Sequence, residues 1–371
     1  EGQHVMWDME MYVFPPLLLF NPSWARALIQ YRFERLAAAV TAAEAVGQSV
    51  EGGREGGEGR TRRRMAAAAM FPWESAGTGE EVEREEGGRE GGRVHVSGAV
   101  AWAVWQYWLT TQDEGWMEEV GFPLLRRVAN FWVAWAEERR EGGREGGTAH
   151  LCGVIPPDEK VGMVDDSAYV NGLAFLSLGW ASKAGKMLRE RRKAREEEAK
   201  EEAGQEQEQV AWERLRAHLV IPFDKFRGIH PEYDGYINAP ISQADVVLLG
   251  YPLGFFTPPS LPPSSFNETD NESRSAKVRA ADLAFYRARF QEGQRGREVG
   301  KEGGLTWGMH VVSELDVGER EEAQAAFSLA YEPYCQRPFG VWTEGGKKGE
   351  REGGEGNTSS KQSSNSSSSS S

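Results

Sequence analysis

Apolar residues recur every three or four positions through most of this chain, and strict alternation is scarce. That period predicts helices rather than strands. "NPSWARALIQYRFERLAAAVTAAEAVG" (21–47) opens with the capping run Asn-Pro-Ser and stops at Gly47. Within it, Trp24, Leu28, Tyr31 and Arg35 fall on one face. "SGAVAWAVWQYWLTTQ" starts at Ser97, a plausible cap, and is apolar nearly all round, as a buried helix must be. "FPLLRRVANFWVAWAEE" (122–138) follows across a short turn as its antiparallel neighbour. Further helices are predicted at 166–184, 210–219, 275–291 and 319–331. The pattern predicts an all-α fold of helical hairpins joined by irregular, polar-aromatic loops.

Three copies of "EGGREGG", at 51–57, 86–92 and 141–147, interrupt this pattern. They have no apolar face to stack and read as flexible loop excursions, which cost little because closure entropy grows logarithmically with length. "REEEAKEEAGQEQEQ" (195–209) reads as a solvated helix extension or another insertion. The segment 345–371 is low-complexity and reads as a disordered tail.

The chain has 371 residues, long enough for a large core. With 43 basic and 57 acidic residues its net charge is -14, which argues against nucleic-acid and anionic-membrane partners. The apolar stretch "MYVFPPLLLF" is short and split by Pro15 and Pro16, so no bilayer span and no signal peptide are predicted, and a cytoplasmic location is the expectation. The chain begins with Glu1 rather than Met, so it reads as a fragment. Sequons at Asn267, Asn271 and Asn357 matter only for a secreted protein. Cys152 and Cys335 form no disulfide framework, and the six His show no metal-ligand spacing. No nucleotide-binding glycine motif is present, so neither metal nor organic cofactor is expected. Thirteen Trp supply core material and platforms for sugar faces.

The unusual residues cluster in the loops. "HVMWDMEMYVFPPLLL", "MFPWESAGTG", "VHVSGAVAWAVWQYW", "GVIPPDEKVGMVDDSAYVN", "QADVVLLGYPL" and "VWTE" follow one another along residues 4–344. In wording and order they resemble glycoside hydrolase family 65, which holds acid trehalases, disaccharide phosphorylases and a glucosidase of glucosylgalactosyl-hydroxylysine. The resemblance implies an (α/α)6 barrel of six helical hairpins, usually preceded by a β-sandwich. Here that sandwich has no counterpart, so the chain reads as a partial barrel over 1–344 followed by the tail.

The resemblance also implies chemistry at named positions. Inverting glycoside hydrolysis uses two carboxyl groups roughly 6.5–9.5 Å apart, one donating a proton to the leaving oxygen and one activating water. The donor corresponds to Glu159, which from its residue context alone reads as an exposed loop acid. The base corresponds to Glu344, a position the phosphorylases lack because phosphate is their nucleophile. Trp7 and Asp8 would hold the glucosyl unit, with Trp73 and Glu74 completing the wall and His95 a weaker candidate, since a lone His is more often structural.

Two departures from the family pattern stand out. Ser242-Gln243 replaces its Lys-Gln pair, and Ser242 cannot supply an ammonium. Lys160 replaces a Tyr beside the donor, where a cation opposes protonation unless it points to solvent. The expected activity is release of glucose from an α-glucoside, foremost glucosylgalactosyl-hydroxylysine. Trehalose hydrolysis, phosphorolysis, and a degenerate glycan binder or a non-folding fragment are the alternatives. The expected ligand is a small carbohydrate or glycosylated amino acid, and the sequence leaves the oligomeric state open.

Overall fold

The computed structural model describes residues 4–51, 65–82, 92–138, 147–194, 202–255, 268–295, 303–336 and 338–342. The EGGREGG repeats, the segment 343–371 and two of the sequons lie almost entirely outside the described residues. Among the described residues the longer helices are α1 Phe14–Phe20, α2 Pro22–Glu34, α3 Leu36–Glu51, α4 His95–Thr111, α5 Phe122–Glu138, α6 Ala168–Ala194, α7 Glu202–His218, α8 Glu268–Gln294, α9 Gly304–Val317 and α10 Arg320–Tyr331. Strand structure among the described residues consists of two antiparallel pairs, β1 Val5–Met6 with β2 Glu74–Ser75 and β3 Cys335–Gln336 with β4 Val341–Trp342. The fold is all-α, as the apolar period predicts.

Helices α4 and α6 form the spine. They pack on each other and both pack on α5, while α7 covers α5 and α6 from the far side. α4 is buried over most of its length, which explains why its sequence has no polar face. The α4–α6 crossing depends on Gly98, where a Cβ atom would stand 2.5 Å from Leu173 Cγ. Trp116, Trp132 and Trp135 are fully buried, so much of the Trp content is core rather than ligand platform. Trp212 joins them and donates its indole N–H to Asn130 Oδ1 at 2.8 Å. No helix among the described residues is long and apolar enough to cross a membrane. Neither Cys152 nor Cys335 takes part in a disulfide.

Several boundaries differ from the sequence expectation. Residues 21–47 are not one helix, because Arg35 leaves helical geometry (φ -108°, ψ 15°) between α2 and α3. Its guanidinium donates to the carbonyls of Tyr31 and Gly77, both at 3.1 Å, and packs over the Tyr31 ring at 3.9 Å. The residue thus ties the 75–79 loop to the break. Ser97 does not cap α4; the helix starts at His95, and Ser97 Oγ accepts the Phe71 N–H at 3.0 Å. "MYVFPPLLLF" is a π-helical turn, Met9–Val13, running into α1. Pro15 and Pro16 sit in the first turn, where a missing N–H forfeits no helical bond. α9 went unpredicted because its glycines and β-branched residues lower helix propensity, a deficit that burial against α8 and α10 overrides.

Candidate active site

The opening loop is pinned before it can present anything. Glu10, in the π-helical turn, receives Nε and Nη2 of Arg32 from α2 at 2.7 and 3.0 Å, and both side chains are buried. β1 pairs with β2 in the register Val5↔Ser75, Met6↔Glu74, which brings the "WD" and "PWE" segments together. Trp7 stacks on Trp73 with centroids 5.7 Å apart and planes at 25°. Both indoles are buried. The Glu81 carboxylate accepts the N–H groups of Trp73 and Glu74 and fixes the second segment. Glu74 itself is half-buried and turns to His4, 2.6 Å away. Asp8 is half-buried at the head of the π-helical turn.

His95 wedges against this pair, edge-on to Trp7 at 5.3 Å and to Trp73 at 5.6 Å. Its Nδ1–H donates to the Ile155 carbonyl at 3.1 Å. Burial drives its pKa down to about 3, so it is a neutral ring at physiological pH. A stacking and positioning part fits it better than acid–base work.

Glu159 opens a 3-10 turn, Glu159–Val161, and is partly exposed. Arg93 donates to its Oε2 at 2.9 Å and lies over the Trp73 ring at 4.8 Å. One guanidinium therefore links the candidate donor to the aromatic wall. Lys160 is exposed. Behind Glu159, the carboxylate of Asp158 is buried and accepts the Ser242 N–H, the Ser242 hydroxyl and the Gln243 N–H at 2.6, 2.5 and 3.3 Å. The N–H of Asp158 donates in turn to both oxygens of Asp245, at 3.0 and 3.1 Å. Ser242 is thus engaged in clamping the donor turn. Gln243 Oε1 receives the Thr306 hydroxyl of α9 at 3.5 Å.

Of the sequence-predicted residues, Trp7, Trp73 and His95 pack together, Glu74 pairs with His4, and Ser242 and Gln243 meet the Glu159 turn through Asp158. Glu344 lies outside the described residues. Sequence reasoning missed Arg93, Asp245 and Glu232. Arg93 was hidden at the end of a charged Gly-rich run. Glu232, in "HPEYDGY", follows a proline as the Asp158–Glu159 pair does, and that signal could have found it. A cleft of about 420 Å³, including its open mouth, lies behind this region, lined in part by His230, Val247, Phe255 and Ser313. None of the sequence-predicted site residues lines it. No group of side chains suited to a metal ion occurs among the described residues.

Fold and site define a class: an all-α protein of helical hairpins whose loops gather carboxylates, an arginine and stacked indoles, the groups that hold sugar rings. The family follows from comparison with known proteins. The glycosyl hydrolase family 65 central catalytic domain matches residues 1–246, and the chain belongs to this family. It is 33% identical over 350 residues to the protein-glucosylgalactosylhydroxylysine glucosidase of Gallus gallus, covering 92% of this chain and 40% of that protein. It is 30% identical over 341 residues to the kojibiose hydrolase of Flavobacterium johnsoniae, covering 92% and 41%. A solved structure named for a kojibiose phosphorylase of the human microbiome matches with a TM-score of 0.62 at 17% identity, over 87% of this chain and 40% of that one. The chain thus spans about two fifths of the length of these relatives.

Proposed function

We propose that the chain carries an inverting α-glucosidase site, acting on glucosylgalactosyl-hydroxylysine or a similar α-glucoside. The observation that carries this reading is the Arg93 bridge between Trp73 and Glu159. It puts a carboxyl group of adjustable environment beside an indole wall, at a turn clamped from behind by Asp158. A glucosyl ring arriving over Trp73 takes the place of the guanidinium, and the released carboxyl can hold a proton. Glu159 then protonates the glycosidic oxygen as the C–O bond breaks. A water held by Glu344 attacks the opposite face of the sugar and gives its proton to that carboxylate. Asp8 and Gln243 accept or donate hydrogen bonds to the glucosyl hydroxyls.

The test is glucose release from glucosylgalactosyl-hydroxylysine and from trehalose, with and without added phosphate. The comparison is between the chain and its Glu159→Gln variant. Phosphate-independent release that is lost in the variant supports the reading. Glucose 1-phosphate formed only with phosphate would make it a phosphorylase, and release surviving in the variant would remove Glu159 from its role.

A further inference from the structure

Behind the Glu159 turn, three buried carboxylates converge from three segments. Asp158, Glu232 and Asp245 are 1%, 3% and 1% exposed. Two of them are well supplied with donors. Asp158 takes three hydrogen bonds from Ser242 and Gln243, and Asp245 takes the Asp158 N–H. Glu232 differs, because neither of its carboxylate oxygens receives a hydrogen bond. Its backbone is nonetheless fixed, since its carbonyl accepts the Ala168 N–H at the start of α6.

The groups facing Glu232 supply no neutralising charge. They are Asp158 and Asp245 from the two neighbouring loops, the phenols of Tyr233 and Tyr236 from its own loop, and the phenol of Tyr286 from α8. Arg289, the arginine that acts on Tyr236, is engaged with Glu292. Three ionised carboxylates in such a pocket would repel one another with no water to screen them. Burial, then the Asp158 charge, pushes the Asp245 carboxyl up as well, but Asp245 accepts the Asp158 N–H while the Glu232 carboxyl accepts no hydrogen bond, so the proton that relieves the cluster resides on Glu232. Burial, then the charges of Asp245 and Asp158, push the Glu232 carboxyl well above the usual carboxylate range.

We propose that Glu232 is a positioning residue, a neutral carboxylic acid that lets Asp158 and Asp245 close on each other and thereby holds the Glu159 turn against the Ser242–Gln243 loop. The inference rests on Glu159 being the reacting group. Ionisation of Glu232 would drive Asp158 away from its clamp and carry Glu159 with it. The closed arrangement is therefore present at low pH and lost as pH rises through the folded-state pKa of Glu232.

The test uses the full chain, its Glu232→Gln variant, which keeps a neutral side chain of the same shape, and Asp245→Asn. Two quantities are followed from pH 5 to 9: kcat/KM for glucose release, and protection of the Ser242 and Gln243 amides against hydrogen exchange. Wild type should lose at least tenfold in both on the alkaline side. Glu232→Gln should match wild type within threefold at pH 6 and keep its amide protection on the alkaline side, where ionisation of Glu159 still lowers kcat/KM. Asp245→Asn removes a like charge and should bring the loss on at lower pH. Parallel amide-protection profiles for wild type and Glu232→Gln overturn the proposal, as does a 100-fold activity loss of that variant at pH 6 with its fold intact. If Glu232→Gln does not fold, an Asp245→Asn profile superimposable on wild type overturns it. A wild type that releases no glucose would sink the functional reading alone, because amide protection still decides the part played by Glu232.

Discussion

Replacing Glu10 with Ala isolates the strongest polar contact of the site's scaffold. The Arg32–Glu10 pair is bidentate, at 2.7 and 3.0 Å, with side chains only 2% and 3% exposed. Removing one partner of a buried pair costs about 3–5 kcal/mol, because the other charge is left uncompensated. Counting two charged hydrogen bonds at about 1.5–3 kcal/mol each gives a similar figure. The Tyr31 and Phe71 rings, each 5.9 Å from the Arg32 guanidinium, are present before and after the change and offset nothing new. A loss of about 4 kcal/mol is thus a large share of the roughly 5–15 kcal/mol by which domains are stable. With a urea m-value near ~3 kcal/mol/M, the unfolding midpoint should fall by roughly 1.3 M. Glu10→Gln keeps one acceptor and should lose about half as much. Glu10→Leu combined with Arg32→Met should recover most of it, since apolar replacement of a buried pair is often neutral. A midpoint shift under about 0.3 M for Glu10→Ala, or a double variant no better than the single one, would refute the reasoning.

His95 makes stability depend on pH in a defined direction. Its folded pKa of about 3 lies below the ordinary value of 6.5, so its contribution is complete above pH 6.5 and is lost as pH falls toward 3. At about 1.4 kcal/mol per unit the loss approaches 4–5 kcal/mol. His95→Gln should show a flatter thermal-denaturation profile between pH 6.5 and 4, and an unchanged slope would contradict this. At the α4–α6 crossing, Gly98→Ala forces a Cβ to within 2.5 Å of Leu173 Cγ. The expected cost is about 1–3 kcal/mol by chemical denaturation. Pairing it with Leu173→Ala should return part of that loss.

The linear pattern by itself determined the all-α class and most helix positions. Apolar residues at helical spacing have only one way to bury a common face, as α5 illustrates by spanning the predicted residues 122–138. It also set apart the loops that hold the candidate site residues, because prolines, aromatics and acids in irregular segments cannot be explained by core packing alone. The sequence could not say which of two adjacent acids is buried. Asp158 and Glu159 are neighbours of the same chemistry, yet one is clamped by Ser242 and Gln243, 84 and 85 residues away, and the other faces Arg93, 66 residues away. Nor could it show that Ser97 serves Phe71 rather than its own helix, or that Arg35 breaks a helix to hold a loop. Hydrogen-bond partners distant in sequence, and the burial that leaves Glu232 without a donor, arise only when the loops are folded against one another. Local propensity carries no term for either, so only the tertiary structure decided them.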